Sequence, residues 1–363
     1  MEQVILVILA AGAVVGGLDL LFGNRFKLGE QFEKGFNLLG PTALSMVGIL
    51  CLAPILSSAI KATIAPIWHS IGLDPAMLGG ILAIDMGGYQ MATTLAENAD
   101  IGNYAGLLVA STLGCTVSFT IPMSRGFLQG ENSDAMFQDF FRGILIGLIV
   151  MPVALLIGGL FSGISFGYLL VQTLPIIILA ALLIAGLCLI PKKMIKGFTV
   201  FAKLIQWMSI IGLTIGAAQY ISGYTLIKEL TPVDEAMKVV SGIGVVMLGS
   251  LPTAELLRRA LAKPLNKFGA RYGLNDTSFT ALFVCFVSVT PALAMVKDMN
   301  RKSRVMNAAF MVCGASTLAS HLGYTLSVDR SMMIPLLLTK FLGGVLGVAL
   351  ALLLPDKNAK ESA

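Results

Sequence analysis

Eleven long apolar runs dominate the sequence and constrain its fold more than any other feature. A hydropathy window of about 19 residues marks them at 4–22, 36–58, 75–96, 101–123, 137–161, 167–190, 198–221, 237–257, 276–296, 304–326 and 331–354. A helix needs about 20 apolar residues to cross a bilayer. The runs lack the alternation of apolar and polar residues that barrel strands show. We therefore predict an all-α, polytopic membrane bundle of about 10–11 transmembrane helices, with residues 1–363 forming one domain.

The composition excludes a soluble globular protein. Of the 363 residues, 56% are hydrophobic and 12% are charged, about half the ~25% charge of an ordinary soluble domain. Abundant apolar surface also excludes a disordered chain. The net charge is +5, but no basic stripe alternates with aromatic residues, so we expect the lipid bilayer and not nucleic acid as a partner.

The charged loops predict how the chain is oriented. The basic loops at 191–203 and 255–275 should face the cytoplasm. Counting the runs outward from these loops places the N-terminus inside and the C-terminus outside. The basic segment 297–304 then falls outside, against the rule, unless a run near it is re-entrant. The first run begins after Glu2 and precedes Arg25, so we interpret it as a retained helix and not as a signal peptide.

Two parts of the chain about 200 residues apart share a pattern. The matching residues are Pro54 and Pro66 with Pro252 and Pro264, and Gly143 and Gly147 with Gly343 and Gly347. The pattern suggests an internal repeat of two related halves, 36–161 and 237–354, although the low identity elsewhere leaves chance as the alternative. Transporters often place their binding site between such halves and build it from broken helices.

The segment with the clearest chemistry is Asp85-Met86-Gly87-Gly88-Tyr89-Gln90. A lone carboxylate inside an apolar run costs about 2.5–3.5 kcal/mol, so Asp85 needs water, a partner or a cationic ligand. Gly87 and Gly88 should weaken the helix and open backbone carbonyls to a cavity. Tyr89 adds an aromatic face and Gln90 an amide, so the set suits a small cation. The alternative is that Asp85 bonds a neighbouring helix and the glycines allow close packing.

Three further polar side chains lie in apolar runs, and each allows two interpretations. Ser118 either lines a polar path or bonds its own helix. Thr290, beside Pro291 in the run that corresponds to that of Asp85, either forms the other wall of the cavity or supports a proline kink. His321 either lines the pathway, where it could carry a proton, or donates a hydrogen bond to a carbonyl.

Metal, cofactor and enzyme chemistry are not expected. The chain has two histidines, no HExxH motif and no CxxC pair, so we expect no metal site and no cofactor. Ser320 and His321 are adjacent, which points their side chains apart on a helix, so an intramembrane enzyme is a minor alternative. GxxxG spacings predict helix packing, with homo-oligomer contacts as a further possibility; they occur at Gly12 and Gly16, Gly143 and Gly147, and Gly212 and Gly216.

Several short motifs together resemble the bacterial ethanolamine utilisation protein EutH family. The resemblance covers nearly the whole chain and rests on Gln31-Phe32-Glu33-Lys34-Gly35-Phe36, Asp85-Met86-Gly87-Gly88, Ser118-Phe119-Thr120-Ile121-Pro122, Lys196-Gly197-Phe198 and His321-Leu322-Gly323. It implies a multi-pass permease or facilitator for ethanolamine in the bacterial cytoplasmic membrane. Relative to the family pattern, Ser320 replaces an acidic residue, which favours Asp85 over His321 as the central group.

The resemblance and the chemistry of Asp85 agree on the substrate. Ethanolamine carries an ammonium group at neutral pH, as a lysine side chain does, so Asp85 would face this cation, with Tyr89 against it and Gln90 or Thr290 at its hydroxyl. Asp85 is nearly alone among the ionisable groups considered within the runs, which favours facilitated diffusion. The alternative is a proton- or sodium-coupled carrier of another small amine or polar solute.

Overall fold

The computed structural model describes residues 2–82, 85–128, 133–275 and 277–354. Every regular element within these ranges is helical, which confirms the predicted all-α class. The α-helices are α1 Glu2–Leu21, α2 Gly29–Asn37, α3 Leu39–Thr63, α4 Ala65–Ser70, α5 Ala76–Ile81, α6 Gly88–Leu95, α7 Ala99–Asn103, α8 Ile121–Phe127, α9 Ser133–Phe161, α10 Phe166–Leu189, α11 Pro191–Ser222, α12 Val233–Arg271, α13 Thr277–Val287, α14 Val289–Met295, α15 Arg301–Gly314, α16 Leu322–Val328 and α17 Met333–Leu353. Three π-helical segments, Tyr104–Gly114, Thr116–Thr120 and Thr317–His321, join some of them.

Nine helical segments of the described chain are long and apolar enough to cross a membrane. They are Glu2–Leu21, Gly29–Thr63, Ala99–Ser124, Asp134–Phe161, Phe166–Leu189, Pro191–Ser222, Val233–Arg271, Arg301–Val328 and Arg330–Leu353. Nine of the eleven apolar runs correspond to these segments. The other two, at 75–96 and 276–296, take a different form.

The run at 75–96 folds back on itself. Helices α5 and α6 pack side by side, so that a Cβ added to Gly79 would lie only 2.5 Å from the backbone nitrogen of Ala92. At the open end, the buried Asp74 carboxylate accepts a hydrogen bond of 2.8 Å from the backbone N–H of Asn98. The prediction that this run is a transmembrane helix is therefore wrong, because it forms a re-entrant hairpin whose two ends meet.

The run at 276–296 is a second re-entrant hairpin, formed by α13 and α14. The chain is extended at Ser288, with φ −155°, between the two helices. The Asn275 side chain donates a hydrogen bond of 2.9 Å to the Asp298 carbonyl, so the hairpin ends lie together. The Asn300 side chain reinforces this closure by donating to the Gly273 carbonyl at 2.9 Å.

The two hairpins enter the bundle from opposite faces, because five membrane-spanning segments lie between them. With the basic loops at 191–203 and 255–275 in the cytoplasm, the second hairpin enters from the cytoplasmic face. The basic segment 297–304 then also lies in the cytoplasm, in agreement with the rule that basic loops face the cytoplasm. This count reverses the predicted orientation, and it places the N-terminus outside and the end of α17 inside.

The GxxxG faces pack against other helices of the same chain. A Cβ added to the first glycine of any of the three pairs would lie within 2.5 Å of a backbone oxygen of a neighbouring helix. The three glycines and the oxygens they approach are Gly12 with Gly249, Gly143 with Val305, and Gly212 with Gly48. These contacts are the helix packing that the GxxxG spacings predict, and the homo-oligomer contacts stay a prediction.

Candidate functional site

Asp85 stands at the tip of the first hairpin. It begins a short 3₁₀ turn, Asp85–Gly87, between the two hairpin helices, and its backbone is left-handed, with φ +53°. A residue other than glycine rarely takes this conformation outside functional or strained turns. The side chain is 26% exposed, so the carboxylate lies at the tip of the hairpin and remains accessible.

His321 meets Asp85 from the other half of the bundle. Its Nε2 lies 3.1 Å from Oδ1 of Asp85, and the His321 side chain is only 1% exposed. Its Nδ1 lies 3.0 Å from the carbonyl oxygen of Ala315. Because a carbonyl only accepts, Nδ1 carries the hydrogen of that bond. Nε2 is the ring nitrogen that contacts Asp85.

The second hairpin supports the turn that holds His321. The helix is interrupted at Ser316, whose backbone is also left-handed, with φ +55°. The backbone N–H of Ser316 donates a hydrogen bond of 2.8 Å to the carbonyl of Cys285 on α13. One hairpin therefore carries Asp85, and the other anchors the turn that leads to its partner.

A buried lysine, Lys340 of α17, lies in the same region. Its side chain is fully buried, and Nζ donates a hydrogen bond of 2.7 Å to the carbonyl of Ser111 in the first π-helical segment. It is close enough to interact electrostatically with both Asp85 and His321. The sequence analysis assumed that Asp85 is nearly alone among the ionisable groups within the apolar runs, and Lys340 shows that it is not. A charged residue within an apolar run is a functional candidate by default, and this signal was available at Lys340.

Two tyrosines form an aromatic wall beside the carboxylate. The rings of Tyr89 and Tyr324 meet edge to face, with centroids 5.8 Å apart, and Tyr324 interacts electrostatically with Asp85. The Tyr324 hydroxyl is buried and has no hydrogen-bond partner among the described residues. An unpaired buried hydroxyl costs free energy, so this one is available to a ligand. Sequence reasoning missed Tyr324, although its spacing of three from His321 places both on one helix face.

Gly88 serves close packing in the hairpin. A Cβ added to Gly88 would lie 2.7 Å from the carbonyl oxygen of Gly79. Gly87 is buried and has φ −62°, an ordinary helical value. The contact at Gly88 supports the packing interpretation of that glycine.

The remaining predicted residues are Gln90, Ser118 and Thr290. Gln90 is exposed, and the Ser118 hydroxyl donates a 2.7 Å hydrogen bond to the Gly114 carbonyl of its own helix. Thr290 is half-buried near the start of α14. Within the described ranges, no hydrogen bond joins any of these three side chains to the pair.

The fold and the central cluster define a class of protein. Two re-entrant hairpins from opposite faces and a buried group of ionisable side chains within a multi-pass helical bundle are features of membrane transporters.

Comparisons with known proteins identify the family. Residues 1–354 match the family model described as "Ethanolamine utilisation protein, EutH", and the chain belongs to this family. It is 35% identical over 362 residues to the "Probable ethanolamine permease EutH" of Listeria monocytogenes, covering 99% of this chain and 96% of the relative. It is 33% identical to the protein of the same name in Salmonella typhimurium, covering 91% and 86%.

A third relative and the solved structures add no further function. The "Uncharacterized protein YxeR" of Bacillus subtilis is 34% identical over 362 residues, covering 99% of this chain and 97% of the relative. No significant match is found among solved structures.

Proposed function

We propose that the protein carries ethanolamine, as its ammonium cation, into the cell by facilitated diffusion across the bacterial cytoplasmic membrane. The observation that supports this most directly is the accessible Asp85 carboxylate at a hairpin tip inside the bundle. Relatives that match nearly the full length of this chain are named probable ethanolamine permeases. A permease moves its substrate unchanged, so no chemical step is assigned.

The cluster matches the two polar ends of ethanolamine. The Asp85 carboxylate accepts hydrogen bonds from the ammonium group, and the Tyr89 ring adds a cation–π contact. The unpaired Tyr324 hydroxyl then bonds the substrate hydroxyl, which lies two carbons from the nitrogen. Tyr324 takes the role that the sequence analysis gave to Gln90 or Thr290, because its hydroxyl is buried and unpaired and it interacts electrostatically with Asp85.

The two hairpins also support the proposal that the chain contains two related halves. A long helix with an internal proline precedes each hairpin, Pro54 in α3 and Pro252 in α12. An N-capping asparagine follows each hairpin, Asn98 for α7 and Asn300 for α15. Because the hairpins enter from opposite faces, the halves at 36–161 and 237–354 would be related by inversion, with the site between them.

Coupled transport is a second candidate. His321 and Lys340 are buried beside Asp85, and chains of buried ionisable groups often carry protons in transporters. The sequence argument for facilitated diffusion assumed that Asp85 is a solitary carboxylate. The buried His321 and Lys340 beside it weaken that argument.

Uptake of labelled ethanolamine by proteoliposomes tests the proposed function. We expect wild-type protein to raise uptake above that of empty vesicles and Asp85→Asn to abolish the increase. Asp100→Asn is the matched control, because this carboxylate is exposed near the start of α7. Unchanged uptake by Asp85→Asn would remove Asp85 from the binding site.

A further inference from the structure

The hydrogen bonds of His321 determine how many protons the Asp85–His321 pair holds. Nδ1 donates to the Ala315 carbonyl, so Nε2 of a neutral ring has only a lone pair to offer. An ionised carboxylate also offers only lone pairs. Two acceptors 3.1 Å apart repel each other, so the observed contact contains one proton, on either Nε2 or the carboxyl oxygen.

That single proton gives the pair a net charge of zero. With the proton on the ring, an imidazolium faces a carboxylate, and with the proton on Asp85, both groups are neutral. Removing the proton leaves a carboxylate and an imidazole nitrogen that converge on the same point. An ammonium group, which has three N–H donors, fits that point by donating to both Asp85 and Nε2 of His321.

We propose that the Asp85–His321 pair exchanges its shared proton for the ammonium group of the substrate. The proton leaves to the side from which the substrate binds, and a proton from the opposite side replaces the substrate when it departs. Each cycle then moves one organic cation in and one proton out. The pair and its occupant carry no net charge in either state, so no net charge crosses the membrane.

Among the described residues, no titratable side chain other than His321 makes a hydrogen bond to Asp85. The titratable side chains that interact with the pair, or with Lys340 beside it, come from several elements. They are Lys340 on α17, Cys115 between the π segments, Cys285 on α13, Cys313 on α15, Tyr89 on α6 and Tyr324 on α16. Lys340 donates its hydrogen bond to the Ser111 carbonyl and not to Asp85.

The two remaining neighbours place their charged residues farther away. Helix α12 packs against α16 through Ile243, which Gly323 approaches closely. The charged residues of α12 that lie nearest to Ile243 in the sequence are Lys238 and Glu255. Helix α3 packs against the hairpin tip. Its one charged residue is Lys61, which is exposed. The exchange therefore involves Asp85 and His321.

This inference rests on the proposed transport of ethanolamine, and it replaces facilitated diffusion of the cation by the coupled candidate, so it defines what drives transport. Exchange of a cation for a proton has the same net result as passage of the neutral amine. The membrane potential then has no effect on accumulation, whereas a pH gradient does. A carrier of the cation alone would instead concentrate it about 50-fold for each 100 mV of inside-negative potential.

Proteoliposomes separate these mechanisms. Labelled ethanolamine uptake is measured with a potassium gradient and valinomycin, which impose a potential, and separately with an imposed pH gradient, with empty vesicles subtracted. We expect the protein-dependent rate to be unchanged by the potential and to increase when the vesicle interior is more acidic than the medium. Accumulation driven by the potential would overturn the exchange while leaving the transport function intact. Absence of any protein-dependent uptake would overturn the transport function itself.

His321→Gln tests the role of the histidine independently of folding. Glutamine cannot take up and release the proton, so the empty carrier cannot return, and we expect net uptake to fall by at least about tenfold. Counterflow of labelled against unlabelled ethanolamine needs no return of the empty carrier, so it should persist. His69→Gln is the matched control, because His69 is exposed and pairs with Glu97. Equal loss of net uptake and counterflow in His321→Gln would assign the residue a structural role and overturn the proposal.

Discussion

The Asp74 carboxylate accepts a hydrogen bond of 2.8 Å from the backbone N–H of Asn98, which joins the two ends of the first hairpin. It also accepts from the backbone N–H of Ala76 at 2.8 Å, and its side chain is buried. Asp85 lies at the other end of the same hairpin. The Asp74 closure therefore helps to position Asp85, eleven residues later in the chain.

Replacing Asp74 should loosen the hairpin. Asp74→Ala leaves buried N–H groups unpaired, and each hydrogen bond to a charged group is worth about 1.5–3 kcal/mol. We expect a lower Tm in detergent and reduced uptake, with Asp74→Asn milder because its side-chain oxygen still accepts. The control is Asp100→Ala, at an exposed position. Equal Tm values for Asp74→Ala and wild type would show that the closure does not stabilise the hairpin.

The re-entrant hairpins predict a specific membrane orientation. Ser70→Cys, before the first hairpin, should react with a membrane-impermeant maleimide in intact cells, whereas Lys297→Cys, after the second hairpin, should react only in inverted vesicles. Both positions are exposed. The exposed Cys188 is replaced by Ser in both variants. Labelling of Lys297→Cys from outside would contradict the orientation and favour two spanning runs.

Gly88 should act through packing and not through substrate contact. Gly88→Ala places a Cβ 2.7 Å from the Gly79 carbonyl oxygen, and overpacking of this kind costs about 1–3 kcal/mol. We expect a lower Tm and less folded protein, with an unchanged KM in the fraction that folds. Gly167→Ala, where a Cβ meets nothing within 4 Å, is the control. A raised KM with wild-type Tm would instead place Gly88 at the substrate.

The Tyr324 hydroxyl should distinguish ethanolamine from amines that lack a hydroxyl. Tyr324→Phe removes a bond worth about 0.5–1.5 kcal/mol, so we expect the affinity for ethanolamine to fall by up to about tenfold. Ethylamine should compete equally well with both proteins, because it has no hydroxyl to lose. Tyr220→Phe is the control, since Tyr220 is 69% exposed. Equal losses for both amines would place Tyr324 elsewhere in the mechanism.

The need for the protein should increase as the medium becomes acidic. Neutral ethanolamine can cross the bilayer unaided, but the protonated fraction rises as pH falls, and the cation needs a path through protein. We expect growth of a deletion strain on limiting ethanolamine to fail first at low pH. A plasmid with the wild-type chain should restore it, and one with Asp85→Asn should not. Equal dependence on the protein at all pH values would contradict the proposal.

The sequence determined the class of protein and singled out Asp85 as a candidate binding residue, because both follow from the cost of placing charge and backbone in lipid. Apolar runs of sufficient length predict helices wherever they occur, and a carboxylate within one requires an explanation. Hydropathy does not reveal whether a run crosses the membrane or turns back. For that reason 75–96 and 276–296 were predicted to span, and the orientation counted from them is opposite to the one that the hairpins predict.

Only the tertiary structure decided what surrounds Asp85. His321 lies 236 positions later in the chain, and Tyr324 and Lys340 come from two further helices. A single sequence does not reveal the spatial distance between residues so far apart in the chain. The pairing depends on the closure of the first hairpin at Asp74 and on the anchoring of Ser316 by the second. Each hairpin must pair its own backbone N–H and carbonyl groups inside the bundle. The contacts at Asp74 and Ser316 do this, and they bring Asp85 and His321 together.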